Sequence, residues 1–220
     1  MFNGCSKQSP NNEGNAVTNI TATGVTTTPS GKKWASVDVE VTNGAAQNAK
    51  IKLKTDSMSI WPIIGYGGSV PEMTGADFKK LDDAKRKEFI DAYFTSSGLD
   101  YNMLRVAVHA TVDGYVFDNV SDDFDLKHFD YNLTGDRENG KIDFIQSVLQ
   151  TKKETKVFGS AWSPPSWMKL GNHSMNGSPN PCLKKDGRYH KAWADYLVKW
   201  IDAYEKLGVP IWAITQQNEP

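Results

Sequence analysis

Cysteine is scarce in this chain. Cys5 and Cys182 are the only two, too few and too far apart for a disulfide framework. Net charge is scarce as well: 25 lysines and arginines stand against 26 aspartates and glutamates, a formal charge of −1, so nothing electrostatic favours a nucleic-acid partner. No apolar run approaches the roughly 20 residues that a membrane-spanning helix needs. The histidines, His109, His128, His173 and His190, show no paired metal-ligand spacing, and no metal is expected. Gly65-Tyr66-Gly67-Gly68 lies between an apolar run and a helical pattern. It lacks the third glycine of a dinucleotide fingerprint and the Gly-Lys-Ser/Thr of a nucleotide loop, so no organic cofactor is expected either. Glycines in that place are expected to let backbone and ligand approach closely.

What the chain has in quantity is aromatic surface. Its 220 residues are 39% hydrophobic, enough to bury one sizeable core, and include 7 Trp, 8 Tyr and 9 Phe. These crowd the second half, where they suit either an aromatic core or stacking against the flat apolar faces of sugars. The first 30 or so residues are by contrast rich in Asn, Thr, Ser, Gly and Pro, the composition of a flexible tether. Within them, Phe2-Asn3-Gly4-Cys5-Ser6-Lys7 resembles the tail of a bacterial lipoprotein signal without the charged and apolar regions that precede such a cysteine. On that reading Cys5 carries a lipid anchor, and the protein is extracellular or held at the cell envelope.

From Ala35 the pattern changes. Ala35, Val37, Val39 and Val41 alternate with polar residues, Asn43-Gly44 supplies a turn, and Ile51 and Leu53 alternate again, which predicts a hairpin that needs a partner sheet. Beyond residue 58 strand and helix alternate. Ile60–Val70 reads as an apolar strand ending in glycines, 76–94 as one charged helix, and Leu104–Val108 as a second strand. A helix over 142–150, a strand over Val157–Trp162, and a long helix carrying Tyr189, Trp193, Tyr196, Leu197, Trp200, Ile201 and Tyr204 follow. Gly208 closes that helix before the last strand, Ile211-Trp212-Ala213-Ile214. The alternation predicts an α/β fold of parallel βα units, either an open doubly wound sheet or a barrel.

Polar and aromatic residues gather at the carboxyl ends of those strands: Glu72, then Arg105 with Asp113 beyond it, Trp162 through Trp167, and Asn218-Glu219. In a parallel barrel these ends share one face, which is where a site is built. Glu219, after Thr215-Gln216-Gln217-Asn218 and before Pro220, is the candidate general acid/base, because a half-dry, amide-lined pocket raises a carboxyl's pKa. The plainer alternative is a strand-to-turn exit with a solvated glutamate. Arg105, inside an apolar strand, is expected to be buried and paired with a carboxylate. Trp162 and Trp167 bracket Pro164-Pro165, whose fixed backbone can hold both rings as a stacking wall, with core packing the alternative for Trp167.

Five segments together resemble glycoside hydrolase family 30, the glucosylceramidase family. They are Ile64-Gly65-Tyr66-Gly67-Gly68-Ser69, Leu104-Arg105-Val106, Asp122-Asp123-Phe124-Asp125-Leu126, Ser163-Pro164-Pro165-Ser166-Trp167-Met168-Lys169 and Trp212 through Pro220, in family order. The resemblance implies a (β/α)8 TIM barrel with a side β-sandwich. With the tether at 1–30 read from composition, the resemblance places sandwich strands within 31–57 and the first four βα units of the barrel in 58–220. It implies retaining hydrolysis of β-linked sugars, with Glu219 as acid/base, Asn218 on the sugar's 2-hydroxyl, and Arg105, Trp162 and Asp113 as further substrate-binding residues. The chain departs from the family pattern in three places: Ala107 and Ala161 stand where proline is usual, and Thr111-Val112-Asp113-Gly114 replaces Ser-Cys-Asp-Phe, which shifts the register around Asp113.

The expected substrate is a β-glucoside, a β-glucan or a glycolipid. Retention needs a second carboxylate. In the family it ends the seventh strand, so the sequence reads as the N-terminal fragment of an enzyme that lacks its nucleophile and is inactive alone. A β-1,6-glucanase or β-xylosidase of the same family, and a non-catalytic carbohydrate-binding protein, are the other readings.

Overall fold

The computed structural model describes residues 22–39, 60–108, 115–170, 182–216 and 218. The chain divides into two compact units, one up to Trp61 and one from Pro62 onward.

In the first unit, β1 (Gly24–Thr26) pairs antiparallel with β2 (Ala35–Val37), Gly24 opposite Val37 and Thr26 opposite Ala35. The tether expected over 1–30 therefore contains a strand, and the partner of the Ala35 strand lies before it. The connecting turn explains why: Thr28 N donates to Lys32 O at 2.9 Å and Gly31 N to Thr28 O at 3.2 Å, around a Pro-Ser-Gly sequence suited to reversing the chain. Residues 40–59, with the expected Asn43-Gly44 turn and the strand at Ile51 and Leu53, lie outside the described residues.

The second unit is a sheet of β3 (Gly67–Val70), β4 (Met103–Ala107), β5 (Lys156–Ser160) and β6 (Ile211–Thr215), all parallel and in sequential spatial order. A doubly wound sheet reverses its strand order at a switch point. Monotonic order with helices between successive strands is how a barrel is laid down. The expected first strand is shorter than its apolar run, since Ile60, Trp61, Ile63 and Ile64 are exposed and pairing starts at Gly67. Gly67 and Gly68 open the strand and do not follow it, and Gly65 precedes it. A Cβ on Gly67 would fall 1.8 Å from the Met103 carbonyl oxygen, so close strand approach and not ligand access accounts for that glycine.

The single helix expected over 76–94 is two: α1 (Glu72–Lys80) and α2 (Asp83–Phe94). The break is written in side chains that compete with helix continuation. Asp82 accepts from Lys85 N at 2.8 Å as the N-cap of α2. Arg86 reaches back, donating from Nε to Phe78 O at 3.2 Å and from Nη2 to Lys79 O at 2.7 Å, and so satisfies carbonyls at the end of α1. A short helix, α3 (Thr134–Glu138), precedes α4 (Lys141–Thr151), and α5 (Gly187–Lys206) leads into β6.

Helix faces pack against one side of the sheet. Leu104, Val106 and Val157 point into that core, opposite Ile142, Ile145 and Val148 of α4 and Tyr196, Trp200 and Tyr204 of α5. Phe144 meets Phe78 edge-on, with centroids 5.2 Å apart, and Phe89 at 6.1 Å. Gly159 leaves room for the Trp200 ring, which a Cβ would meet at 2.6 Å. The intervening residues Arg105, Phe158 and Ser160 face the other side, where the candidate site lies.

Candidate functional site

Side chains from the ends of two neighbouring strands converge on one guanidinium. Arg105 is the third residue of β4, and its neighbours across the ladder are Ser69 of β3 and Phe158 of β5. Its Nη2 donates to Ser160 Oγ at 3.0 Å and also to Asn218 Oδ1. Ser160 ends β5, is 2% exposed, and shares a 2.9 Å hydroxyl contact with Thr215, the last residue of β6 and its register partner. The face of the guanidinium is covered by Trp162, with Cζ 4.8 Å from the ring centroid, a cation–π contact.

Arg105 is thus paired, as expected, but among the described residues its partners are an amide, a hydroxyl and a ring in place of a carboxylate. Its half-buried position makes that tolerable, because a partly solvated guanidinium does not need full charge compensation. Asn218 is tied down twice, by Arg105 on its side chain and by its own N–H to the Ala161 carbonyl at 2.7 Å. Among the described residues its Nδ2 is buried without a hydrogen-bond partner, which costs free energy unless something arrives to accept from it. An arginine, an aromatic face and an unfilled amide donor together suit a neutral polyhydroxylated ligand, one oxygen of which accepts from Asn218.

The other residues expected at this face distribute differently. Glu219 and Asp113 lie outside the described residues. Trp167 does not stand in a wall with Trp162. It is 3% exposed, packed near Phe124 and Tyr189, and its indole N–H donates to Asp118 O at 3.2 Å. Directly after the double proline, a 3-10 turn over Ser166–Met168 carries that ring in a buried position. Trp162 itself is half-buried, and the residue after it is clamped: Lys169, 1% exposed, donates from Nζ to Ser163 Oγ at 2.7 Å. Burial lowers the pKa of that lysine.

Glu72 leaves the site as well. At the first turn of α1 it is 6% exposed and lies 3.5 Å from Lys141 Nζ, which in turn is 2.6 Å from Asp136. The hydroxyl of Tyr204, whose pKa burial pushes well above its ordinary value, donates to the same aspartate. Glu72 so belongs to a charge cluster among helices α1, α3, α4 and α5, not with Arg105 and Asn218. Ser160 and Thr215, conversely, were not singled out from the sequence. The signal they offer is positional, a hydroxyl closing each of two neighbouring apolar strands. No group of metal-ligating side chains occurs among the described residues, and no helix there is long and apolar enough to cross a membrane.

The model of the glycosyl hydrolase family 30 TIM-barrel domain matches residues 63–220. The chain is 31% identical over 160 residues to the lysosomal acid glucosylceramidase of Mus musculus, an alignment covering 71% of this chain and 30% of that protein. It is 32% identical over 169 residues to an endo-1,6-beta-D-glucanase of Trichoderma harzianum, covering 72% and 34%. Among solved structures it resembles SrfJ from Salmonella typhimurium with a TM-score of 0.63 and 27% identity, covering 71% of this chain and 34% of the other. The chain therefore spans about a third of the length of each protein it matches here.

Proposed function

The chain belongs to glycosyl hydrolase family 30, and on that premise we propose that it serves the retaining hydrolysis of β-linked glucosides, as in a glucosylceramidase, with Glu219 as acid/base. The observation that carries the reading is the buried, unpartnered Nδ2 of Asn218, locked by Arg105 at the strand ends directly before Glu219. In this reading Asn218 donates to the sugar's 2-hydroxyl and Trp162 flanks the bound ring. Asp113, one loop beyond β4, is a further sugar contact. Glu219, protonated, donates to the glycosidic oxygen while a second carboxylate attacks the anomeric carbon. Glu219 then takes a proton from the water that releases the sugar. No residue of this chain is assigned to the attacking role.

Near-equal identity to the glucosylceramidase and the 1,6-glucanase, 31% and 32%, supports the β-glucosyl unit more firmly than any one leaving group. Attachment to the cell envelope through Cys5 is part of the proposal and rests on the sequence around that residue alone. The test is turnover of aryl β-glucosides by the intact protein and its Glu219→Gln variant. The variant should lose activity most on leaving groups of high pKa, and added azide should rescue it as a β-glucosyl azide. Unchanged turnover in the variant returns Asn218-Glu219-Pro220 to an ordinary strand exit. Matching activity on a 1,6-linked glucan in place of a glucosylceramide selects the glucanase reading.

A further inference from the structure

We propose that Ser160 and Thr215 are positioning residues, a pair of strand-end hydroxyls of fixed polarity that sets the orientation of the Asn218 amide through Arg105. The argument starts from what a guanidinium is: it has donors only and no lone pair to offer. Each atom facing Arg105 Nη2 must therefore accept. That fixes Asn218 with Oδ1 toward Arg105 and Nδ2 turned away, buried and unpartnered. It also fixes Ser160, whose oxygen accepts from Arg105 at 3.0 Å and whose single proton must point elsewhere. Thr215 Oγ1, 2.9 Å away, is the acceptor that lies in reach. The chain of donation runs Arg105 to Ser160 to Thr215, and the other branch runs Arg105 to Asn218.

Ser160 holds the guanidinium from β5 while Asn218 receives it beyond β6. Without the Ser160 hydroxyl, Nη2 loses one of its two acceptors, and the guanidinium is free to slide over Trp162. The Asn218 amide then has no single preferred orientation. Thr215 acts one step further back, by accepting from the Ser160 hydroxyl, which turns that O–H away from Arg105 and leaves a Ser160 lone pair facing the guanidinium. Neither hydroxyl needs to touch the ligand.

This inference rests on the proposed reading of Asn218 as the donor to the sugar's 2-hydroxyl, and the experiment separates the two. It measures kcat/KM of the intact protein on an aryl β-glucoside and on the matching 2-deoxy glucoside, for the wild type, Ser160→Ala and Thr215→Val. Ser160→Ala should lose about tenfold on the glucoside, the scale of one hydrogen bond to a charged group, and less than about twofold on the 2-deoxy substrate. Thr215→Val should show a smaller loss in the same pattern. Equal losses on both substrates, or none on either, overturn the positioning role, since a general packing defect cannot distinguish a missing 2-hydroxyl. A wild type that treats both substrates alike, or hydrolyses neither, overturns the Asn218 reading and this inference with it. Should Ser160→Ala fail to fold, Thr215→Val carries the same comparison, because it is close to isosteric and its site is exposed.

Discussion

His128 holds its ring Nδ1 2.8 Å from Asp123 Oδ2, and its backbone N–H donates to the same oxygen at 2.9 Å. Burial raises the Asp123 pKa, yet these donors and the Lys127 N–H outweigh it and bring the carboxyl down to about 2. A depressed folded value means the carboxylate's contribution to stability is complete above the unfolded pKa of about 3.9 and is lost as pH falls toward the folded one. His128→Ala removes the ring donor and leaves the backbone donors. The Asp123 carboxyl carbon, followed by NMR titration, should then move part of the way up toward its ordinary value. A midpoint that stays near 2 would leave the backbone N–H groups as the whole cause. Legibility at this scale divides by chemistry. Arg105 stands out because a cation within an apolar strand is uncommon, while the role of Asn218 comes from the resemblance of the last segment to the family. Ser160 and Thr215 do not stand out, because hydroxyls in strands are ordinary and their meaning comes from which strand lies beside which.

Between elements, α1 and α2 show where periodicity misleads. Their apolar spacing runs on across the junction, so one helix was the natural reading of 76–94, while the competing signal was a single aspartate, Asp82, placed to cap. The helix α3 was missed for a related reason, since five residues are too few to show a period. What ties these helices together is ionic. Lys141, the first residue of α4, is 1% exposed and is the cation between Asp136 of α3 and Glu72 of α1. Lys141→Met keeps the stem and removes the charge, which leaves two carboxylates buried without it. That should cost about 3–5 kcal/mol, read from the urea midpoint at constant slope. Adding Glu72→Gln and Asp136→Asn should recover much of the loss, because the variant then buries no uncompensated charge. A single variant that costs less than about 1 kcal/mol would show that the carboxylates are not held as a charged pair around this lysine.

At the scale of the molecule, alternation of strand and helix was enough to predict parallel βα units, and it could not choose between an open sheet and a barrel. Strand order made that choice, and order is a property of long-range pairing that no local pattern encodes. The same order makes the sheet uneven. Strands β4 and β5 are paired on both sides, and their residues Leu104, Val106 and Val157 are at most 1% exposed. Among the described residues β6 has β5 as its one strand partner, a bulge beside Val157 and Phe158 puts Trp212 out of register, and Trp212 and Ile214 are 51% and 39% exposed. Local opening takes the least buried elements first. In this chain, native-state amide exchange should therefore be slowest across 103–107 and 156–160 and at least about tenfold faster across 211–215. The consequence reaches the candidate site, since Thr215 ends an edge strand that opens early and Asn218 lies just beyond it, while Arg105 and Ser160 lie on the inner strands that open last. A ligand that accepts from Asn218 should selectively slow exchange in 211–215. Equal protection of all four strands without ligand would mean that the sheet opens only by global unfolding, and that Asn218 is held by the whole fold and not by Arg105.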